Sequence, residues 1–167
     1  EADEYVSEPT HEKIPKLLLQ QPTIAVITNI EYDHPDVYQN VEEVIDVMQK
    51  FVDEQVKESG IVILNSDDKN SNILRDRIIP GRKKIITFGQ HGEPLYRIHT
   101  IDITALKSTF SLDMREKGTV VFSLQSRGEH NIYNAVAAII VAAACEVSLE
   151  KIQQGISATI RKEADSE

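Results

Sequence analysis

The chain is short of several things, and each shortage narrows what it can be. Cys145 is the one cysteine among 167 residues. No disulfide framework can form within the chain, which fits a reducing compartment. Cys145 closes the AAAC run and reads as a small buried core residue. No apolar run approaches the roughly 20 residues of a membrane-spanning helix, and residues 135–145 are too few. No secretory signal pattern is present. Positive charge is in deficit, with 18 Lys and Arg against 27 Asp and Glu and a net charge of -9. That argues against a general affinity for nucleic acid. It leaves an anionic nucleotide open, because a metal ion or local groups can reverse a local field. The sequence contains no GxxxxGK[ST], and Gly-Gln-His-Gly at 89–92 has too few glycines to replace one. There are no internal repeats and no low-complexity stretch.

What is present is ordinary for a globular domain: 41% hydrophobic and 27% charged residues, at a length that supports a real core. TIAVITNI at 23–30 is a β-branched apolar run that predicts a buried strand. Apolar residues at 41, 44, 45, 48, 51, 52 and 56 predict a helix to about Glu58, capped by Asn40 and closed by Gly60. IVILN at 61–65 and KIITFG at 84–89 predict two more strands. Between them lies a short helix capped by Ser66 or Asp67 and stopped by Pro80. This alternation marks an α/β domain with a parallel sheet. Segments 96–103, 107–115 and 119–126 alternate in polarity and predict a small antiparallel sheet, with a hairpin turn at Glu116-Lys117-Gly118. Two helices follow, at about 130–145 and 148–159, the second capped by Ser148. The chain begins with Glu1 rather than Met and ends in the polar RKEADSE, which reads as a piece of a longer protein.

Four places offer chemistry. The loop after the first strand carries Thr28, Asn29, Glu31, Asp33, His34 and Asp36. Ligands in open α/β sheets bind at the carboxyl ends of the strands, and an imidazole among carboxylates suits a divalent metal. The same residues also fit an ordinary acidic turn with His34 at the surface. Glu1-Ala2-Asp3-Glu4 could hold Mg²⁺ or be a solvated acidic stretch. Asp67-Asp68 could serve a ligand or simply a helix N-terminus. EHNIYN at 129–134 opens the apolar helix AVAAIIVAAAC, with Asn131 and Asn134 on one face. An asparagine amide matches the N6/N7 edge of adenine; helix capping by Asn131 fits equally well. His11, His91 and His99 have no partner at ligand spacing and read as surface or strand residues.

In order along the chain, these segments resemble the central ATP-binding domain of the Mur ligases, starting downstream of its phosphate loop. EADE at 1–4 is similar to the family's acidic motif, and TNIEYDHPDVY at 28–38 to TNIExDHxDxY. ILNSDD at 63–68 is similar to the strand ending in paired aspartates, and GEHNIYNAVAAI at 128–139 to GxHNxxNAxAA. The second and fourth motifs, about a hundred residues apart, are the specific ones. The resemblance implies an α/β fold: a mostly parallel sheet flanked by helices, with a small antiparallel sheet. It makes residues 1–160 a partial central domain and 161–167 a polar tail. EADE followed by TNIEYDHPD is most similar to the branch that joins UDP-N-acetylmuramate to L-alanine, or to a recycled murein peptide. Other branches carry a lysine in the helix after the DH motif, where this chain has Gln49 and Lys50.

The resemblance also implies roles. Glu1 would bind the Mg²⁺ that bridges the ATP phosphates. His34 would bind a second metal ion near the γ-phosphate and act in catalysis, with Asn29 beside it in the ATP site. His130, Asn131 and Asn134 would line the adenine pocket. The implied reaction activates a carboxylate with ATP and Mg²⁺, in the cytoplasm, for peptidoglycan synthesis. The implied partners are UDP-N-acetylmuramate and an amino acid, held mostly by domains outside this sequence; neither nucleic acid nor membrane is implied. Residues 8–21 are longer than the family's spacing, and SATIRKEADSE replaces its usual phenylalanine-glycine and arginine stretch. A folate- or cyanophycin-type amide ligase, a non-catalytic nucleotide-binding domain of the same fold, and a metal-dependent hydrolase built on Asp33-His34 are the competing readings.

Overall fold

The structure, a computed structural model, describes residue 5 and residues 14–158. It divides into two compact units, Glu1–Thr87 and Phe88–Glu167, so that the boundary falls within one strand.

In the first unit, β1 (Ile24–Ile27) runs parallel to β2 (Ile61–Asn65), in a register that pairs Ile24 with Ile61 and Ile27 with Leu64. β2 lies between β1 and β3 (Lys84–Gly89). Val62, Ile63 and Leu64 are all buried, as in a strand covered on both faces. β1 is shorter than the apolar run predicts and leaves Val26 40% exposed. The chain leaves the strand once Thr28 and Ile30 are taken by other partners.

The predicted long helix is two structures. α1 (Val41–Lys50) is capped by the Asn40 side chain, which accepts from the Glu43 amide. A π-helical turn, Phe51–Gln55, follows, with the Val56 amide donating to the Phe51 carbonyl. The wider turn keeps Phe51, Val52 and Val56 in the core, with Val44, Ile45, Ile27 and Leu64. Lys83 bends back to donate to the carbonyls of Val56 and Lys57, closing the helix end. Gly60 is required there: a Cβ would lie 2.7 Å from the Lys57 carbonyl and 2.8 Å from that of Thr23. α2 (Lys69–Arg77) is capped by Asp68, not by Ser66 or Asp67. Arg77 bonds Glu42 and Asp46, which are four apart on α1.

In the second unit, the end of β3 pairs in parallel with β4 (Tyr96–Ile103), Phe88 opposite Tyr96. β4, β5 (Ser108–Asp113) and β6 (Thr119–Leu124) then run antiparallel, with a bulge between His99 and Ile101. Alternation places Phe110, Leu112, Phe122 and Leu124 on the buried face, where the Phe110 and Phe122 rings stack at 5.6 Å. The β5–β6 connection is a 3-10 turn at Arg115–Lys117, with Gly118 at φ 68. α3 (Glu129–Ala144) buries Ile132, Val136, Ile139 and Ile140 at 0% exposure each. Burying one such side chain stabilises a fold by about 1.5–3 kcal/mol. Cys145 corrects the expectation: it is exposed, because α3 ends one residue before it. α4 (Leu149–Ala158) lies against β6, whose Val121 carbonyl accepts from Gln153. No helix among the described residues is long and apolar enough to cross a membrane.

Candidate functional site

In the first unit the site grows from the carboxyl end of β1. Once the strand stops, its backbone is taken over by side chains that follow β2. Asn65 donates to the Thr28 carbonyl at 3.0 Å, and its own side-chain oxygen accepts from the Asp67 amide. The Ile30 amide donates to Asp68, and its carbonyl accepts from Asn70 at 2.7 Å. Ile30 is thereby pinned on both sides and 1% exposed. Its neighbours Asn29 and Glu31 are exposed. Asn65 and Asn70 do this work without having been singled out in the sequence. Their signal is an asparagine that ends a buried strand and another in the first turn of the next helix. Asp68 caps α2 and holds Ile30 through the same carboxylate oxygen, in keeping with the helix N-terminus reading of Asp67-Asp68.

Beyond Ile30 the loop folds tightly around His34. Its backbone is left-handed, φ 55, unusual for a residue with a side chain. Asp33 accepts the His34 amide at 2.7 Å, and the His34 carbonyl accepts from the amides of Val37 and Tyr38. The Tyr32 hydroxyl donates to the Tyr38 carbonyl. Asn29, Ile30, Glu31, Tyr32, Asp33, Val44 and Met48 line a cleft of about 470 Å³. A left-handed residue directly after a stretch that lines a cleft makes this turn a candidate for function.

Nε2 of His34 lies 3.9 Å from the nearer Asp33 carboxylate oxygen. Nitrogen and oxygen donors this close suit a divalent ion whose other positions are filled by water and phosphate oxygens. Among the described residues no three His, Cys, Asp or Glu side chains converge as a ready metal cage. Glu1, the other expected ligand, lies outside the described residues.

In the second unit the residues sit at the start of α3. Its N-cap is Gly128 at φ 100, and a Cβ there would lie 2.7 Å from the His130 ring. Asn131 does not cap the helix with its oxygen. Its amide nitrogen donates to the Ser126 hydroxyl at 2.9 Å and to the Arg127 carbonyl at 2.6 Å, so both hydrogens are committed to the preceding loop. Gln90, just past β3, donates to Glu129 and to the Tyr133 hydroxyl, fixing one line of the helix. His130 and Asn134, four apart, form the adjacent line and are both exposed. Asn131 thus orders the loop through its nitrogen, while Asn134 is exposed. Asp113 is held below the usual carboxylate range by its hydrogen bonds from His99 and Thr119, and Arg77 is raised by Glu42.

Residues 2–142 match the model of the Mur ligase middle domain. The chain belongs to that family. It is 31% identical over 142 residues to a protein of Geobacter sp. (strain M21) named UDP-N-acetylmuramate--L-alanine ligase, covering 84% of this chain and 30% of that protein. Among solved structures, it superposes on UDP-N-acetylmuramate:L-alanyl-gamma-D-glutamyl-meso-diaminopimelate ligase from Neisseria meningitides with a TM-score of 0.80, at 20% identity, covering 98% of this chain and 48% of that one. A second is MurF ligase from Thermotoga maritima in complex with ADP, at a TM-score of 0.70 and 15% identity, covering 85% and 31%. These two likenesses speak for the fold. The chain spans about 30% of the length of the curated relatives it matches.

Proposed function

We propose that the chain is the middle part of an ATP-dependent ligase that joins UDP-N-acetylmuramate to L-alanine in peptidoglycan precursor synthesis. The observation that carries this reading is the 31% identity over 142 residues to a ligase of that name, combined with TNIEYDH on the pinned loop after β1. In the reaction, the muramoyl carboxylate attacks the γ-phosphorus of ATP, and ADP leaves with the bridging oxygen's electron pair. The alanine amine then attacks the acyl phosphate, inorganic phosphate leaves, and the amine's proton passes to solvent or a base. A divalent ion supplies charge neutralisation for the phosphoryl oxygens when bound.

The chain's own residues prepare the place. His34 and Asp33 offer a nitrogen and an oxygen donor from a turn that cannot relax easily. Glu1 is assigned the Mg²⁺ next to the phosphates, and Asn29 the ATP side of the loop. His130, Asn131 and Asn134 are assigned to the adenine pocket, with Asn131 also holding the loop that precedes α3. The phosphate-cradling loop is not in the 167 residues, so this chain alone makes no amide.

The test is an ADP-release assay on the whole protein that contains this chain, with UDP-N-acetylmuramate and L-alanine, glycine, L-serine or a murein tripeptide. ADP release that needs UDP-N-acetylmuramate and prefers L-alanine is expected. Release with a folate and glutamate instead would overturn the substrate assignment. Mg-ATP binding without turnover of any amine would leave a nucleotide-binding domain that is not a ligase.

A further inference from the structure

We infer that Tyr5 is a positioning residue for the His34 imidazole, an assignment that rests on His34 holding a divalent ion. Four contacts define it. The rings of Tyr5 and His34 lie 4.6 Å apart, tilted by 54°. The Tyr5 hydroxyl donates to the Asp36 carboxylate at 2.9 Å, across 31 residues of chain. The Tyr5 carbonyl accepts from the Lys16 amide at 2.9 Å, and the Lys16 ammonium sits 5.6 Å from the Tyr5 ring centroid. Tyr5 is therefore tied at its backbone, its ring and its hydroxyl.

His34 has the complementary need. Its backbone is fixed by Asp33, Val37 and Tyr38. The ring torsion of a histidine is soft, so the groups packed against the imidazole bias the direction in which Nε2 points. Tyr5 is one of them, with its ring 4.6 Å from that of His34. The Asp36 bond adds a second tie to the same turn, so Tyr5 bridges the imidazole and a residue two further on. Groups that orient a metal-binding histidine from outside the ligand set typically change metal affinity by about 10–100-fold.

The experiment uses this chain, Mn²⁺ alone as probe, and NMR of the His34 ring protons. Four proteins are compared: unaltered, Tyr5→Leu, Tyr5→Phe and His34→Ala. Unchanged amide signals from β1 and β2 certify that each variant folds. Without metal, Tyr5→Leu moves the His34 ring signals, because the neighbouring ring current is gone; Tyr5→Phe leaves them near their original positions. With Mn²⁺, half-broadening of the His34 signals needs about tenfold more metal in Tyr5→Leu, and Tyr5→Phe restores most of the loss. His34 signals and Mn²⁺ affinity that ignore Tyr5→Leu would overturn the inference while leaving His34 as a ligand. Mn²⁺ affinity that ignores His34→Ala would overturn the metal reading itself, and the role of Tyr5 with it.

Discussion

The Ile30 amide donates to the Asp68 carboxylate at 3.3 Å, joining two loops that are 38 residues apart in the chain. The same oxygen accepts the Ser71 amide at 2.6 Å, so one carboxylate both starts α2 and holds the site loop. Losing an N-cap costs about 0.5–2 kcal/mol, and leaving a buried amide unpaired adds about 1–3 kcal/mol. Asp68→Ala is expected to lower stability by at least about 1 kcal/mol, and Asp68→Asn, which keeps an acceptor, by much less. Urea midpoints measure the first effect. Hydrogen exchange at Ile30 and Ser71 locates it, and unchanged exchange at both amides would contradict the dual role.

Gly128 sits where a side chain is excluded twice, by its φ of 100 and by the His130 ring 2.7 Å from where a Cβ would stand. Gly128→Ala is expected to cost about 1–3 kcal/mol, the usual range for a strained backbone position. His130 can swing away, being exposed, but φ cannot be relieved that way. Gly128→Ala in a His130→Ala background therefore retains most of the loss in a thermal melt. Full rescue by His130→Ala would show that contact, not backbone, makes the glycine necessary.

The order of strands and helices was legible because each element is periodic over its own length. The parallel β1–β2 pair and the three antiparallel strands stand where hydrophobic patterning put them. What escaped was set by partners distant in sequence. A π-turn at Phe51–Gln55 leaves the apolar spacing intact and is invisible to it. Cys145 reads as core because its run is apolar, yet the helix ends before it. In the loop after β1, residue type and position made His34 and Asn29 candidates, and the fold sets that loop at the carboxyl end of the strand. The ties that hold that loop, from Asn65, Asp68 and Asn70, were not legible, because their partners are backbone atoms 37, 38 and 40 residues away.

Acid stability carries a local signature at Asp113. Its carboxylate accepts from His99 at 2.8 Å and from the Thr119 hydroxyl, and these bonds hold its pKa below the ordinary 3.8. A carboxylate depressed in the folded state stabilises the fold above its unfolded value. That contribution disappears as the pH falls through the folded value, so the window lies below 3.8. The side chains of His99 and Asp113 are 42% and 43% exposed, so solvent screens the pair. About 0.2–1 kcal/mol is the scale for such pairs. Asp113→Asn is expected to lose that much at neutral pH and nothing at the acid end, flattening the stability profile. Parallel profiles for the two proteins would contradict the assignment.

Asn131 and Asn134 are separable by experiment because their amides are spent differently. Asn131 donates both hydrogens to the 126–127 backbone and side chain, whereas Asn134 is exposed one turn along α3. Removing Asn131 frees a hydroxyl and a carbonyl of the loop, at roughly 0.5–1.5 kcal/mol per lost bond. Asn131→Ala is thus expected to lower stability and, through the loop, nucleotide affinity together. Asn134→Ala touches no such bond. In the whole protein it is expected to leave the thermal midpoint in place and weaken adenine-nucleotide binding by about tenfold, the equivalent of one charge-free hydrogen bond. Comparing ATP with GTP sharpens the test, since a group that reads the adenine edge loses discrimination when removed, whereas a group that only shapes the pocket weakens both nucleotides equally. Equal loss for ATP and GTP in Asn134→Ala would move the adenine contact to His130 or to a residue outside the described chain.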